Sequence, residues 1–221
     1  MKNNAFEIDN HLPLIAIVRG VTPENVVNVA KVLVDKGFSL IEVPLNSPDA
    51  LISIQHLVDH YQAQLGKTIY IGAGTVTNTA QAQGVINTGA NLVVTPNLNL
   101  DVLKMANEAG CITFPGVVTP TEAFAAVHAG ATGIKLFPVS MVGLDGFKAL
   151  KSVLPKDTLT FPVGGIDASV ESMKPYLQLG ANGFGLGSAL YTPSMTLEQI
   201  SDVAQAFVDS YAQCLKQIKQ R

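Results

Sequence analysis

Eight short apolar runs recur along the chain, at residues 14–18, 40–45, 69–72, 92–95, 111–114, 133–137, 159–163 and 183–187. Their length and unbroken apolar character suit strands covered on both faces. Between them lie segments with helical spacing, such as 24–35, 49–64, 100–109, 121–128 and 168–179. Gly37, Gly89, Gly110, Gly130 and Gly180 each stand before the next run, where a helix-closing glycine belongs. Pro23 after Thr22 and Pro48 after Ser47 read as helix starts, a capping hydroxyl followed by proline at the first helical position. Alternating strands and helices imply a parallel sheet, because each helix carries the chain back for the next strand. Eight such units fit a closed TIM (β/α)8 barrel better than an open doubly wound sheet. The expectation is a single barrel domain over 1–221, finished by a long helix at 197–219 and preceded by a short extra helix or plug within the first ten residues.

Charge narrows the function. Only 14% of residues are charged, the net charge is −3, and no cluster of Lys and Arg occurs. An ordinary globular protein carries roughly 25% charged residues, so a large core or faces hidden in an oligomer are expected. A nucleic-acid surface would need a basic stripe. The longest apolar runs last about seven residues, against about 20 needed to span a bilayer. Residues 1–10 contain Glu7 and Asp9 and no apolar stretch, unlike a secretory signal. Two distant cysteines, Cys111 and Cys214, read as reduced thiols buried as small hydrophobes. A cytoplasmic location is expected.

Two charged residues interrupt apolar strands: Lys135 in Gly133-Ile134-Lys135-Leu136-Phe137-Pro138, and Glu42 in Leu40-Ile41-Glu42-Val43-Pro44-Leu45. An unpaired buried charge is costly, so such residues are normally paired or functional. The two-residue period puts Ile134 and Leu136, and likewise Ile41 and Val43, on one face, and Lys135 and Glu42 on the other. With the aliphatic sets against the helices, both charges point into the barrel. They come from the second and sixth runs, on opposite sides of its axis, at the end where barrel active sites lie. One reading is a buried ion pair that only fills the interior. The other is a nucleophilic amine, its pKa lowered by apolar surroundings, opposite a carboxylate that moves protons.

Gly164 and Gly165 follow the seventh run, and Gly187 and Ser188 close the eighth. Phosphate sites in such barrels form from these two loops, where glycine lets backbone N–H groups approach an anion; plain turns are the other reading. Thr75, in Gly72-Ala73-Gly74-Thr75, is positioned to bond a carboxylate or hydroxyl, or belongs to a simple tight bend. Arg19 follows the first run and is the sole arginine before the C-terminal Arg221. It is a candidate for bidentate carboxylate capture, with a rim salt bridge as the alternative. His11, His56, His60 and His128 share no ligand spacing, so no metal site is expected.

These motifs together resemble the bacterial aldolases that cleave 2-keto-3-deoxy-6-phospho sugar acids, across nearly the whole length. The matching stretches are 12–20, 41–48, 71–75, 94–97, 134–138, 163–165 and 185–188. The resemblance implies a class I aldolase that needs no cofactor and assembles as a homotrimer. Lys135 would form the Schiff base, and Glu42 would shuttle protons. Arg19 and Thr75 would hold the carboxylate, and Gly164, Gly165, Gly187 and Ser188 the phosphate. Pro96 would line the pocket, with Phe137 a pocket wall or core. The gluconate-type branch, which also acts on 4-hydroxy-2-oxoglutarate, is similar but carries arginine where Asn46 stands and threonine where Val163 stands. Both departures resemble the 6-phosphogalactonate branch, in which an arginine after the first strand serves instead, as Arg19 could. A phosphosugar epimerase or isomerase, and a non-catalytic phosphosugar-binding protein, are the rival classes.

Overall fold

The computed structural model describes residues 6–220. Every apolar run carries a strand: β1 (Leu12–Ile17), β2 (Phe38–Pro44), β3 (Tyr70–Gly74), β4 (Leu92–Val94), β5 (Ile112–Phe114), β6 (Gly116–Val117), β7 (Ile134–Leu136), β8 (Thr160–Pro162) and β9 (Phe184–Leu186). The helices are α1 (Val26–Asp35), α2 (Ala50–His60), α3 (Thr79–Asn87), α4 (Leu100–Glu108), α5 (Pro120–His128), α6 (Val139–Val153), α7 (Val170–Gln178) and α8 (Leu197–Lys219). α8 has the bounds expected from sequence. α3 and α6 lie outside the segments singled out by helical spacing. The first buries only Ala82 and Val85, and the second is interrupted at Gly143, where φ is 64°.

The strands do not close into an eight-stranded barrel. They form a six-stranded parallel sheet, in the order β5-β4-β3-β2-β1-β9, and a separate three-stranded parallel sheet, β6-β7-β8. The expected continuous ladder is interrupted twice. The fifth run forms β5, which pairs with β4; past Pro115 a separate two-residue strand outside the eight runs, β6, pairs with β7. On the other side Pro162 ends β8, and a single isolated bridge, Val163 with Gly185, reaches towards β9. Proline brings no N–H, and strands of two or three residues have few donors to spare.

Local punctuation is partly as expected. The five helix-closing glycines have φ between 80° and 92°, a region costly for other residues. Thr22 and Ser47, however, are not the N-caps. α1 begins behind Asn25, and the Thr22 carbonyl accepts from Asn25 and Val26 in the turn before it. α2 begins behind Asp49, while the Ser47 hydroxyl accepts from the Gly20 N–H. The side-chain caps that do form, such as the capping boxes of Thr119 with Glu122 and Thr196 with Gln199, stand before α5 and α8.

Side chains segregate into two clusters as the strand period dictates. Ile41, Val43, Ile134 and Leu136 join the large cluster that includes the helix faces. Ile15, Leu40, Tyr70, Leu92, Phe114 and Phe161 form a smaller cluster drawn from both sheets. Phe114 of the larger sheet meets Phe161 of the smaller edge-on, ring centroids 5.0 Å apart, a contact worth about 1 kcal/mol beyond its buried area. Phe6 and Ile8 pack against this inner cluster, Phe6 lying 5.2 Å from the Tyr70 ring. The expected N-terminal helix is a single 3-10 turn at Ile8–Asn10; its remaining positions, 1–5, lie outside the described residues. Among the described residues, no helix is long and apolar enough to cross a membrane.

Candidate active site

Lys135 sits mid-strand in β7, flanked in register by Gly116 of β6 and Phe161 of β8, and is 6% exposed. Its Nζ lies 4.6 Å from the centroid of the Phe137 ring. Burial holds its pKa below the usual lysine range; the Glu42 carboxylate opposes this, and the Arg19 charge reinforces it. Glu42, in β2, is 1% exposed, and its Oε2 has no hydrogen-bond partner. Burial pushes its carboxyl up to about 7, against the opposing pull of Lys135 and then Arg19. The two residues belong to different sheets, yet each lies within Coulombic reach of the other. They form an amine and a carboxyl whose environments drive both towards the neutral form, an arrangement suited to nucleophilic attack and proton transfer near neutral pH.

The sequence makes room for this carboxyl. A Cβ placed on Gly74 would lie 1.9 Å from Glu42 Oε2 and 2.3 Å from its Cδ, so only glycine fits beside it. Gly72-Ala73-Gly74, expected as a turn after the third strand, is the end of β3 itself, and its last glycine makes room for the carboxyl. Thr75, next along, takes a positive φ of 58°, an uncommon conformation for a β-branched residue.

A cavity of about 480 Å3 opens beside Lys135. Of the expected site residues it is lined by Arg19, Lys135, Phe137, Gly164, Gly165, Gly187 and Ser188. Glu42 is buried and, like Thr75 and Pro96, is not among the lining residues. Gly164 and Gly165 have φ of 95° and 80°, so conformation demands glycine there. Among the described residues, the backbone N–H groups of Gly165, Ile166, Ser188 and Ala189 have no protein acceptor. Free amides on two adjacent loops are a geometry that can accept an anion. Arg19, exposed just past β1, donates through Nη1 to Asn46 Oδ1.

The cavity also includes Ile17, Val163, Asp167, Tyr191, Thr192 and Pro193. Val163 carried a signal in the motif comparison; Tyr191 and Pro193 lie past the last strand in a stretch without periodicity and gave none. A wider groove between α7 and α8, about 630 Å3, is shallow and contains no buried ionisable side chain. Cys111 and Cys214 are free and buried, and burial pushes the Cys111 thiol up to about 11.

An amine–carboxyl pair beside a glycine-rimmed cavity is an arrangement able to perform carbonyl chemistry, and the chain belongs to the KDPG and KHG aldolase family, whose model matches residues 7–206. It is 43% identical over 199 residues to the probable 2-dehydro-3-deoxy-6-phosphogalactonate aldolase of Rhizobium meliloti strain 1021, covering 90% of this chain and 91% of that one. It is 41% identical to the 2-dehydro-3-deoxy-6-phosphogalactonate aldolase of Escherichia coli K12, covering 93% and 97% respectively. A solved structure described as native KDPGal superposes with a TM-score of 0.87 at 41% identity, over 93% of this chain and 97% of that one.

Proposed function

We propose that this chain is a class I aldolase that cleaves 2-dehydro-3-deoxy-6-phosphogalactonate to pyruvate and glyceraldehyde 3-phosphate through a Schiff base on Lys135. The observation that carries the reading is Lys135 itself: a buried amine held below its usual pKa, at the wall of a cavity rimmed by free backbone amides. The family assignment and the names of the relatives supply the substrate class.

In this reading the neutral amine adds to the C2 carbonyl, and loss of water gives an iminium. The Glu42 carboxylate takes the C4 hydroxyl proton, directly or through one water. The C3–C4 bond then breaks, its electron pair passes to the iminium to form an enamine, and glyceraldehyde 3-phosphate leaves. Glu42 returns a proton to C3, and hydrolysis of the imine frees pyruvate and the amine. No cofactor takes part. Arg19 pairs with the substrate carboxylate; Gly164, Gly165, Gly187 and Ser188 take the phosphate; Phe137 shapes the intervening wall, while Thr75 and Pro96 lie outside the lining and take no direct part. A homotrimer is part of the proposal, supported by the low surface charge and by the exposed Leu51 and Ile52. A cytoplasmic location belongs to it as well.

The test is borohydride reduction in the presence of pyruvate, followed by peptide mass mapping. A reduced adduct on Lys135 is the expected result, and an unmodified Lys135 defeats the mechanism. Cleavage rates on the galactonate and gluconate epimers, measured side by side, test the substrate; equal rates remove the galactonate preference.

A further inference from the structure

The ends of β1 and β2 are tied together beyond their paired residues. Val18 N donates to Glu42 O at 3.0 Å, and Gly20 N donates to Ser47 Oγ at 2.9 Å. Between these two ties, the Arg19 side chain donates to Asn46 Oδ1. Ser47 is itself fixed, its N–H donating to Pro44 O at 2.8 Å and its side chain buried. On the other side a Cβ at Gly20 would lie 2.8 Å from Pro193 Cγ, so the Arg19 backbone is closed in there too. Asn46 does not line the cavity, whereas Arg19 does. Anything Asn46 contributes to a ligand therefore passes through the arginine.

A guanidinium on an exposed stem loses rotamer freedom when it captures a carboxylate, and that loss weakens binding unless the side chain is held beforehand. One N–H spent on Asn46 leaves the remaining donors of the fork available for a carboxylate. We propose that Asn46 is a positioning residue that holds the Arg19 guanidinium at the cavity wall, so that the loop after β2 sets recognition of the substrate carboxylate by the loop after β1. This rests on the keto-acid reading of the site.

A double-mutant cycle tests it, with Asn46→Ala, Arg19→Ala and the double variant compared in steady-state cleavage of 2-dehydro-3-deoxy-6-phosphogalactonate. Asn46→Ala should raise KM about five- to tenfold and change kcat by less than about twofold, the pattern of lost binding common to ground and transition states. In the Arg19→Ala background the same substitution should change KM by less than about twofold, because its effect runs through the missing guanidinium. Asn46 is exposed, and thermal melts should be unchanged by its replacement. An unchanged KM in Asn46→Ala, or an equal rise in both backgrounds, overturns the proposal. An unmodified chain that cleaves no such substrate defeats the functional reading and this inference with it, whereas an active chain indifferent to Asn46 defeats only the inference.

Discussion

Replacing Glu42 by glutamine isolates the cost of burying its carboxyl. The side chain is 1% exposed, Oε2 has no partner, and the folded pKa stands at about 7 against an ordinary value of 4.5. The difference, 7 − 4.5 = 2.5 units, corresponds to about 3 kcal/mol at 1.36 kcal/mol per unit. The sign follows from proton binding. Between these two values the folded chain holds a proton that the unfolded chain has lost, so unfolding releases it and stability falls as pH rises. Below 4.5 both states are protonated and the penalty is absent; above 7 it is fully present. Glutamine has the same shape and cannot ionise, so Glu42→Gln should gain on the unaltered protein by up to about 3 kcal/mol between pH 4.5 and 8. The attraction of the Lys135 charge is already part of that gain, since it is one of the pulls that hold the carboxyl down to about 7. Urea unfolding of both proteins across this pH range measures the difference directly. A stability difference independent of pH, or one that moves the other way, refutes the reasoning: Glu42 would then be ionised and compensated in the folded chain. The same variant should lose about 100-fold or more in kcat, the usual contribution of a general base.

Lys135→Arg keeps a cation in β7 but removes the nucleophile, so cleavage and borohydride trapping with pyruvate should both vanish; a trapped adduct at another lysine would relocate the chemistry. Gly74→Ala puts a methyl group 1.9 Å from Glu42 Oε2. It should cost about 1–3 kcal/mol in a denaturant melt, as overpacking does, and lower kcat by displacing the carboxyl; a wild-type melt and rate would show that the end of β3 yields freely. Ser188→Ala should raise KM for the phosphorylated substrate about tenfold, roughly the worth of one hydrogen bond to a charged group. Pyruvate trapping should be unaffected, and weakened trapping would place Ser188 at the carboxylate end.

The alternation of strand and helix was legible because it rests on local physics. Apolar runs of four to six residues between glycine stops have few other ways to bury themselves, and all eight carry strands. The face of each charge was legible for the same reason: Ile41 and Val43 must share one side of β2, which leaves Glu42 on the other. α3 escaped notice because Thr79–Asn87 is rich in small and polar residues and buries only Ala82 and Val85. Ser47 and Thr22 misled as caps because a hydroxyl before proline satisfies any nearby N–H, and the Ser47 hydroxyl found the N–H of Gly20, 27 positions away.

Sequence alone determined the elements, the mid-strand placement of Lys135 and Glu42, and the glycines of the loops after β8 and β9, since each follows from residue type and spacing. Tertiary structure decided whether the strands close. Pro115 and Pro162 withhold donors where the ladder would have to continue, and the result is two sheets instead of one barrel. Tertiary structure also decided that Glu42 is fully buried with its carboxyl raised to about 7, and that Arg19 donates to Asn46. Desolvation and side-chain pairing depend on what the rest of the chain packs against a residue, and no local pattern encodes that.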